Sequence, residues 1–547
     1  MRFGKGKFVS PNEQVDIDQA HELSNNPSNC GMHFRERHMS KIFTRRKSLS
    51  SKGKEARYIQ PRRLESLEQE SIALTWKFFL AVLFACFFGG TILVFAAPVP
   101  SVDLDNLYVA NIPFIAKKPD FGGEACLAMF LRSKGFDVDQ DYVFDSSNLD
   151  PLQGRGCHTK ELVTAAHKMR IDPGPVWHSI RNDQDLFRLW KTIKSDLAKR
   201  QPTIVCRLEN RAEQFVLVVG YDAARDEVIF HDPNHSNGKD RRLGKMQFLQ
   251  SCSLSAQPSD DGQELASFIG LRLSSDRLKV GKKSAGYTDA DYAQHILKLK
   301  KRLPHAGFHI EIQKPFVVVG DGTPNSVKQT SVGTVKWAVD AIKKDYFSKD
   351  PYHIIDVWLF KDPKSYKKHN LELFDTEPGT PYGYYSPSHR VLVMDISTGG
   401  GTLVHEIVHP FMESNFPACP SWFNEGLASL YEQSSTRNGH IIGLTNWRLR
   451  GLQYSIEDDR LPTFKELCST TTGEFYNGHS TNYAQARYLC YYLQERGLLI
   501  KYYHAFRKNA VEDPGGYETL KRILNRSDIE KFQEQWEGYV MKLRFQN

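Results

Sequence analysis

The stretch "LVHEIVHPF", residues 403–411, sets two histidines four apart with a glutamate directly after the first. On an α-helix, positions i and i+4 share one face, about 6 Å apart along the axis. That spacing lets His405 and His409 close on one zinc ion, with Glu406 projecting beside the ion rather than onto it. A carboxylate so placed is suited to taking a proton from an activated water. Two polar residues on an ordinary helix give the same pattern, so the neighbouring sequence has to discriminate.

A catalytic zinc site takes three protein ligands and keeps one position open. Six residues beyond His409, where a third histidine would stand, is Asn415, and position 412 is Met rather than Gly. Glu413 lies one turn past His409, but three ligands from one straight helix cannot surround a metal. Glu425 sits in "WFNEGLASLYE" (422–432), an amphipathic helix after the turn "NFPACPS" (415–421). An antiparallel return brings it over the first helix, so the expected ligands are His405, His409 and Glu425.

Together "GGGTLVHEIVH" (399–409) and "WFNEGLASLYE" resemble the gluzincin metallopeptidases, the clan of thermolysin and aminopeptidase N, and most of all compact peptidase-MA-like domains. The resemblance covers roughly residues 306–500. It implies Zn2+ as cofactor on His405, His409 and Glu425, Glu406 as general base and acid, and a peptide or protein substrate. It also implies that the strand "RVLVMDI" (390–396) lies at a sheet edge and pairs with extended peptide. "STNYAQARYLCYYL" (480–493) resembles the helix from which related enzymes supply a transition-state tyrosine, which points to Tyr483. Related enzymes often carry a carboxylate one turn after the ligand glutamate, where this chain has Ser429.

Upstream, "FIAKKPDFGGEACLAMFLRSKGF" (114–136) and "EQFVLVVGYDAARDEVIFHDP" (213–233) resemble the bacteriocin-processing, double-glycine-leader cysteine peptidases, which have a papain-like fold. In that family a Gln, a Cys opening a helix, a His before a strand and an Asp in a DP turn carry the chemistry. This chain has Lys117, Gly122, Gln214 and Asp232 at those positions. Gly122 offers no nucleophile and Gln214 cannot accept a proton near neutral pH. Cys126 lies a full turn inside the helix on its apolar face, a packing position. The expectation is a domain that keeps the fold, and with it a peptide-binding groove, without acyl transfer.

At 547 residues, with 40% hydrophobic and 25% charged residues, the chain has material for two or three domains. Residues 78–97, "FFLAVLFACFFGGTILVFAA", carry no charge and match a bilayer's thickness as a helix. Residues 1–77 hold 15 Lys/Arg against 9 Asp/Glu, most of the net +8. The positive-inside rule then places that segment in the cytoplasm and the bulk outside. An uncleaved signal anchor is expected, with secretion after signal cleavage as the alternative. No basic stripe with interleaved aromatics follows, which argues against nucleic-acid binding. Nine cysteines show no CxxC and no regular framework.

The expected fold class is α+β and multidomain. A basic disordered arm (1–77), with a short helix near 62–77, precedes a single transmembrane helix (78–97). A papain-like α+β domain (103–272), a linker (273–287) and a gluzincin domain (288–547) follow, the last with a small mixed sheet and a helical C-terminal half. The expected function is a membrane-anchored, extracytoplasmic zinc metallopeptidase. The alternative is a non-catalytic peptide-binding or scaffold protein.

Overall fold

One antiparallel and one mixed sheet, each backed by helices, organise the chain in a computed structural model that describes residues 106–258, 264–282, 286–477 and 481–545. The arm, its expected helix and the expected span at 78–97 lie outside the described residues. Among the described residues, no helix is long and apolar enough to cross a membrane. Residues 103–547 form one compact unit.

The first sheet has eight strands: β1 (Asn106–Tyr108), β2 (Trp177–Ile180), β3 (Thr203–Glu209), β4 (Ala212–Asp222), β5 (Glu227–His231), β6 (Arg241–Gly244), β7 (Leu254–Pro258) and β8 (Glu264–Arg272). Its main order is β2-β8-β3-β4-β5-β6, with β1 added to β4 and β7 to β8, all antiparallel. Helix α1 (Gly122–Ser133) packs against it, and Gly122 to Leu131 are all buried. The run "ACLAMFL" suits a helix enclosed on every side, with small residues where neighbours come close. Short helix α2 (Gln140–Asp145) follows, its first turn capped by Asp139.

The second sheet runs β12 (Gly383–Ser386), β13 (Val391–Asp395), β11 (Ile355–Phe360), β10 (Phe316–Gly320), β9 (His309–Gln313). Its three central strands are parallel and both outer pairs antiparallel. Alternation assigns its faces. Phe316, Val318, Val357, Leu359, Leu392 and Met394 join one core, while Val317, Val319, Trp358, Phe360, Val391 and Val393 join the other. Near-continuous apolar strands are what a sheet covered on both faces requires. "FHIEIQKPFVVVGD" reads as one strand in sequence, but a turn at Lys314-Pro315 splits it into β9 and β10.

Helix α3 (Asp289–Lys300) stands between the sheets. Ala290 and Ala293 enter the first domain's core, whereas Tyr292, Ile296 and Leu299 enter the second's. Gln294 donates to the Pro119 carbonyl, and Lys300 to those of Leu152 and Gln153. The described part of the expected linker also packs back: Lys279 N bonds to Met169 O, and Gly281 N to the Tyr142 hydroxyl.

The HExxH segment forms helix α4 (Gly401–Asn415), and the Glu425 segment forms α5 (Ser421–Leu430). Leu403, Val404, Ile407, Val408, Phe411 and Met412 bury one face of α4 in the larger core of the second domain. Pro410 sits inside α4 without a backbone donor, so tertiary packing rather than propensity carries its last turn. Helix α6 (Thr472–Asn477) and long helix α7 (Thr481–Glu495) complete the surroundings of the site. A Cβ on Gly426 would meet the Ala486 carbonyl at 3.1 Å, so glycine is what lets α5 and α7 pack so closely.

Candidate metal centre and a converted thiol-peptidase site

His405 and His409 project from α4 toward Glu425 on α5. One ligand atom from each of the three lies within 4.8 Å of the others. His405 Nε2 is 3.2 Å from Glu425 Oε2, and His409 Nε2 is 3.9 Å from Glu425 Oε1. Glu406 Oε2 lies 3.9 Å from His409 Nε2, beside the cluster. Each imidazole is fixed from behind. His409 Nδ1 pairs with Asn424 Oδ1 at 3.1 Å, which leaves Nε2 to face Glu425. His405 Nδ1 is 3.3 Å from Glu432 Oε1, a charge contact whose angle falls short of a hydrogen bond. Two imidazole nitrogens and one carboxylate, convergent and largely shielded from water, are a donor set that suits zinc.

Charge inside the cluster is strongly coupled. Burial opposes a proton on His405, yet Glu425, Glu432 and Glu406 outweigh it and hold its pKa well above the ordinary value. Burial pushes Glu425 up, but His405, His409 and the Tyr476 hydroxyl bring it down to about 2. Glu432 likewise falls to about 2, burial being outweighed by His405 and Arg448.

Several residues around the cluster are not apparent from the motifs. Glu432 is held by Arg448 through two bonds, Nη2 to Oε1 at 2.8 Å and Nε to Oε2 at 3.0 Å, and by Asn446 at 3.0 Å. Ser429, where the resemblance expects a carboxylate, is fully buried and bonds back to the Gly426 carbonyl. Glu432, seven residues after Glu425, takes the place behind His405 instead; the i+7 spacing is the signal that could have pointed to it. Tyr476 on α6 donates to Glu425 Oε1 at 2.6 Å. Tyr483 packs its ring against Phe475 and Tyr476, with the Arg448 guanidinium 5.4 Å from its centroid. Burial pushes its hydroxyl pKa up, and the charges of Glu425 and Glu406 reach it.

One expectation about the cleft is corrected. "RVLVMDI" forms β13, which is paired on both sides, so the sheet edge is β12, Gly383–Ser386, from "GYYS". Tyr385 of this edge donates to Glu413 on α4 at 3.1 Å, which ties the edge to the HExxH helix.

In the first domain, Gly122 opens α1, where the resemblance expects a cysteine. A Cβ there would meet nothing closer than Asn234 Oδ1 at 3.8 Å, so the position has room for a side chain that it lacks. Asp232 is fully buried and committed elsewhere: Arg241 pairs with it at 2.5 Å and Asn234 donates to it at 2.8 Å. Cys126 is fully buried, and burial holds its thiol protonated, far above the ordinary pKa. His231 is buried between the Ile112 carbonyl and Asp240 N. Glu209, Asp232 and His235 also lie within metal-ligating reach of one another, but Arg207 and Arg241 already neutralise the two carboxylates. The seven described cysteines are all free.

Residues 109–255 match the Peptidase_C39 like family, and this region is a Peptidase_C39-like domain of α+β architecture. Among solved structures, the chain is similar to the peptidase domain of Streptococcus ComA, described as a bi-functional ABC transporter involved in a quorum sensing pathway. That match has 20% identity and a TM-score of 0.20, and covers 29% of this chain and 98% of that one. No curated protein matches the chain.

Proposed function

We propose that the chain is a membrane-anchored, extracytoplasmic zinc metallopeptidase whose Peptidase_C39-like domain is catalytically silent and binds peptide. The observation that carries this reading is the convergence of His405, His409 and Glu425, with Glu406 beside them and Asn424 and Glu432 behind the two imidazoles. Zinc held by those three side chains would supply a Lewis acid able to acidify a water near neutral pH. Glu406, poised at the rim, takes the proton from the attacking water and returns it to the leaving amine. Tyr483 offers its hydroxyl to the developing oxyanion, and the free edge of β12 offers backbone groups to an extended peptide.

The silence of the first domain rests on Gly122, on Gln214 and on the inaccessible Cys126. The rival reading, a non-catalytic scaffold, is disfavoured by the intact Glu406, which a structural metal site does not need. Metal analysis of the purified chain tests the proposal: about one zinc per chain is expected, with a strong loss in Glu425→Ala. A folded chain that takes up no zinc sinks the metallopeptidase reading. One that holds zinc but cleaves no denatured protein supports the scaffold.

A further inference from the structure

The two oxygens of Glu425 are not equivalent. Oε2 lies 3.2 Å from His405 Nε2, whereas Oε1 accepts a hydrogen bond from the Tyr476 hydroxyl at 2.6 Å. Among the described residues that is the only hydrogen bond Oε1 accepts, the nearer imidazole, His409, standing 3.9 Å away. We propose that Tyr476 is a positioning residue of the metal centre: its hydroxyl withholds Oε1, so that Glu425 serves the metal through Oε2 alone. This rests on the metallopeptidase reading above and adds to it a residue that touches neither metal nor substrate.

Tyr476 has no need of a buried partner. It is 49% exposed, and a phenol at a surface can give its proton to water. It turns instead onto a carboxylate whose residue is 6% exposed. The surrounding chain holds it in that direction. Helix α6 opens on a reciprocal pair, Thr471 N donating to Glu474 Oε2 at 2.8 Å and Glu474 N to Thr471 Oγ1 at 3.3 Å. Ser421 Oγ, at the start of α5, donates to Thr472 Oγ1 at 3.0 Å, and Asn482 Nδ2 on α7 donates to the Phe475 carbonyl at 3.3 Å. Phe475 is fully buried, its ring centre 5.6 Å from that of Tyr476. A six-residue helix is too short to stand alone. The hydroxyl is therefore aimed by α5 and α7, the first of which also carries Glu425.

A carboxylate can ligate a cation through one oxygen or through both. Beside two imidazoles, one oxygen completes three protein ligands and leaves a fourth position open, as catalysis requires. A second oxygen from the same carboxylate would crowd that position. A hydrogen bond to Oε1 prevents this and fixes the plane of the carboxylate, the work that groups behind a ligand ordinarily do. Tyr483 stands on the same wall, its ring centre 6.1 Å from that of Tyr476, but makes no hydrogen bond to Glu425. The two tyrosines thus divide the work, one hydroxyl committed to a ligand and one left for the substrate.

The test is the visible spectrum of the full chain loaded with cobalt(II) in place of zinc, for the wild type, Tyr476→Phe and Tyr483→Phe. Cobalt absorbs strongly when four-coordinate and weakly when further ligands join. The wild type should show the intense bands, Tyr476→Phe should lose intensity as Oε1 joins the metal, and Tyr483→Phe should match the wild type. With zinc, Tyr476→Phe should lower kcat on a denatured protein about tenfold or more and leave KM little changed. Identical spectra for the wild type and Tyr476→Phe overturn the proposal, and a lower melting temperature of the metal-free variant would then show that the hydroxyl serves only the empty carboxylate. Weak bands in the wild type, or equal losses in both variants, overturn it too. A wild type that takes up neither zinc nor cobalt removes the metallopeptidase reading itself; one that takes up both while Tyr476→Phe behaves identically removes this inference alone.

Discussion

Replacing Glu432 by Gln tests whether the candidate centre is built from behind as well as from its ligands. The carboxylate faces His405 Nδ1 at 3.3 Å and is the bidentate partner of Arg448, a side chain 24% exposed. Glutamine keeps the volume and one acceptor but removes the negative charge that makes His405 a stronger donor through Nε2. Partners of this kind change metal affinity by about 10- to 100-fold, equivalent to about 1.4–2.7 kcal/mol. A second cost falls on folding. Arg448 is left with a neutral partner, and breaking a buried pair costs about 3–5 kcal/mol at most, less here because one hydrogen bond survives. The assay is competition for zinc against a chelator of known affinity at neutral pH, with thermal unfolding of the metal-free chain measured alongside. A variant that melts lower yet binds zinc as tightly as the wild type would show that Glu432 serves Arg448 alone, and the orientation argument would fail.

Glu406→Gln should keep zinc content unchanged while peptide hydrolysis falls by at least about 100-fold; hydrolysis at the wild-type rate excludes Glu406 as the base. Tyr483→Phe should lower kcat with little change in KM, and an unaltered kcat returns Tyr483 to the core and leaves Tyr476 as the hydroxyl to test. Glu124, fully buried in α1 with its pKa pushed up to about 7 by burial, is raised above the unfolded value of 4.5, so it subtracts stability as pH climbs from there to about 7 and beyond. Glu124→Gln should therefore change little at pH 4 and stabilise by roughly 3 kcal/mol at pH 8, read by denaturant melts at both; equal effects at the two pH values refute the raised pKa.

The side-chain cluster of the second domain was legible because it is local. His405, Glu406 and His409 need only helical spacing, and Glu425 needs one tight return, so a few residues suffice to predict the cluster. The surroundings were not legible, since Glu432, Arg448, Asn446 and Tyr476 meet only after α5, α6 and the segment holding residues 446–448 pack together. Sheet order failed for a related reason. β13 is apolar on both faces, which marks an interior strand, and the real edge "GYYS" is four residues long with too little alternation to announce itself. In the first domain, Lys117, Gly122 and Gln214 were readable as departures. The arginines that absorb Asp232 come from strands β3 and β6, beyond the reach of any local pattern.

Helix α3 changes what the Peptidase_C39-like domain is for the rest of the chain. Because its alanines lie in one core and its Ile296 and Leu299 in another, neither core closes without it. Excising residues 288–547 at the boundary that the sequence suggests would strand Ala290 and Ala293 in water and take away the bonding partners of Gln294 and Lys300. The upstream domain thus acts as a buttress whatever it binds. A substitution at Gly154, where a Cβ would press on Ile296 at 2.8 Å, would be felt in the second domain although it touches none of the candidate site residues. Whatever chemistry the upstream domain performs, a shared helix is enough to make it structurally indispensable to its neighbour.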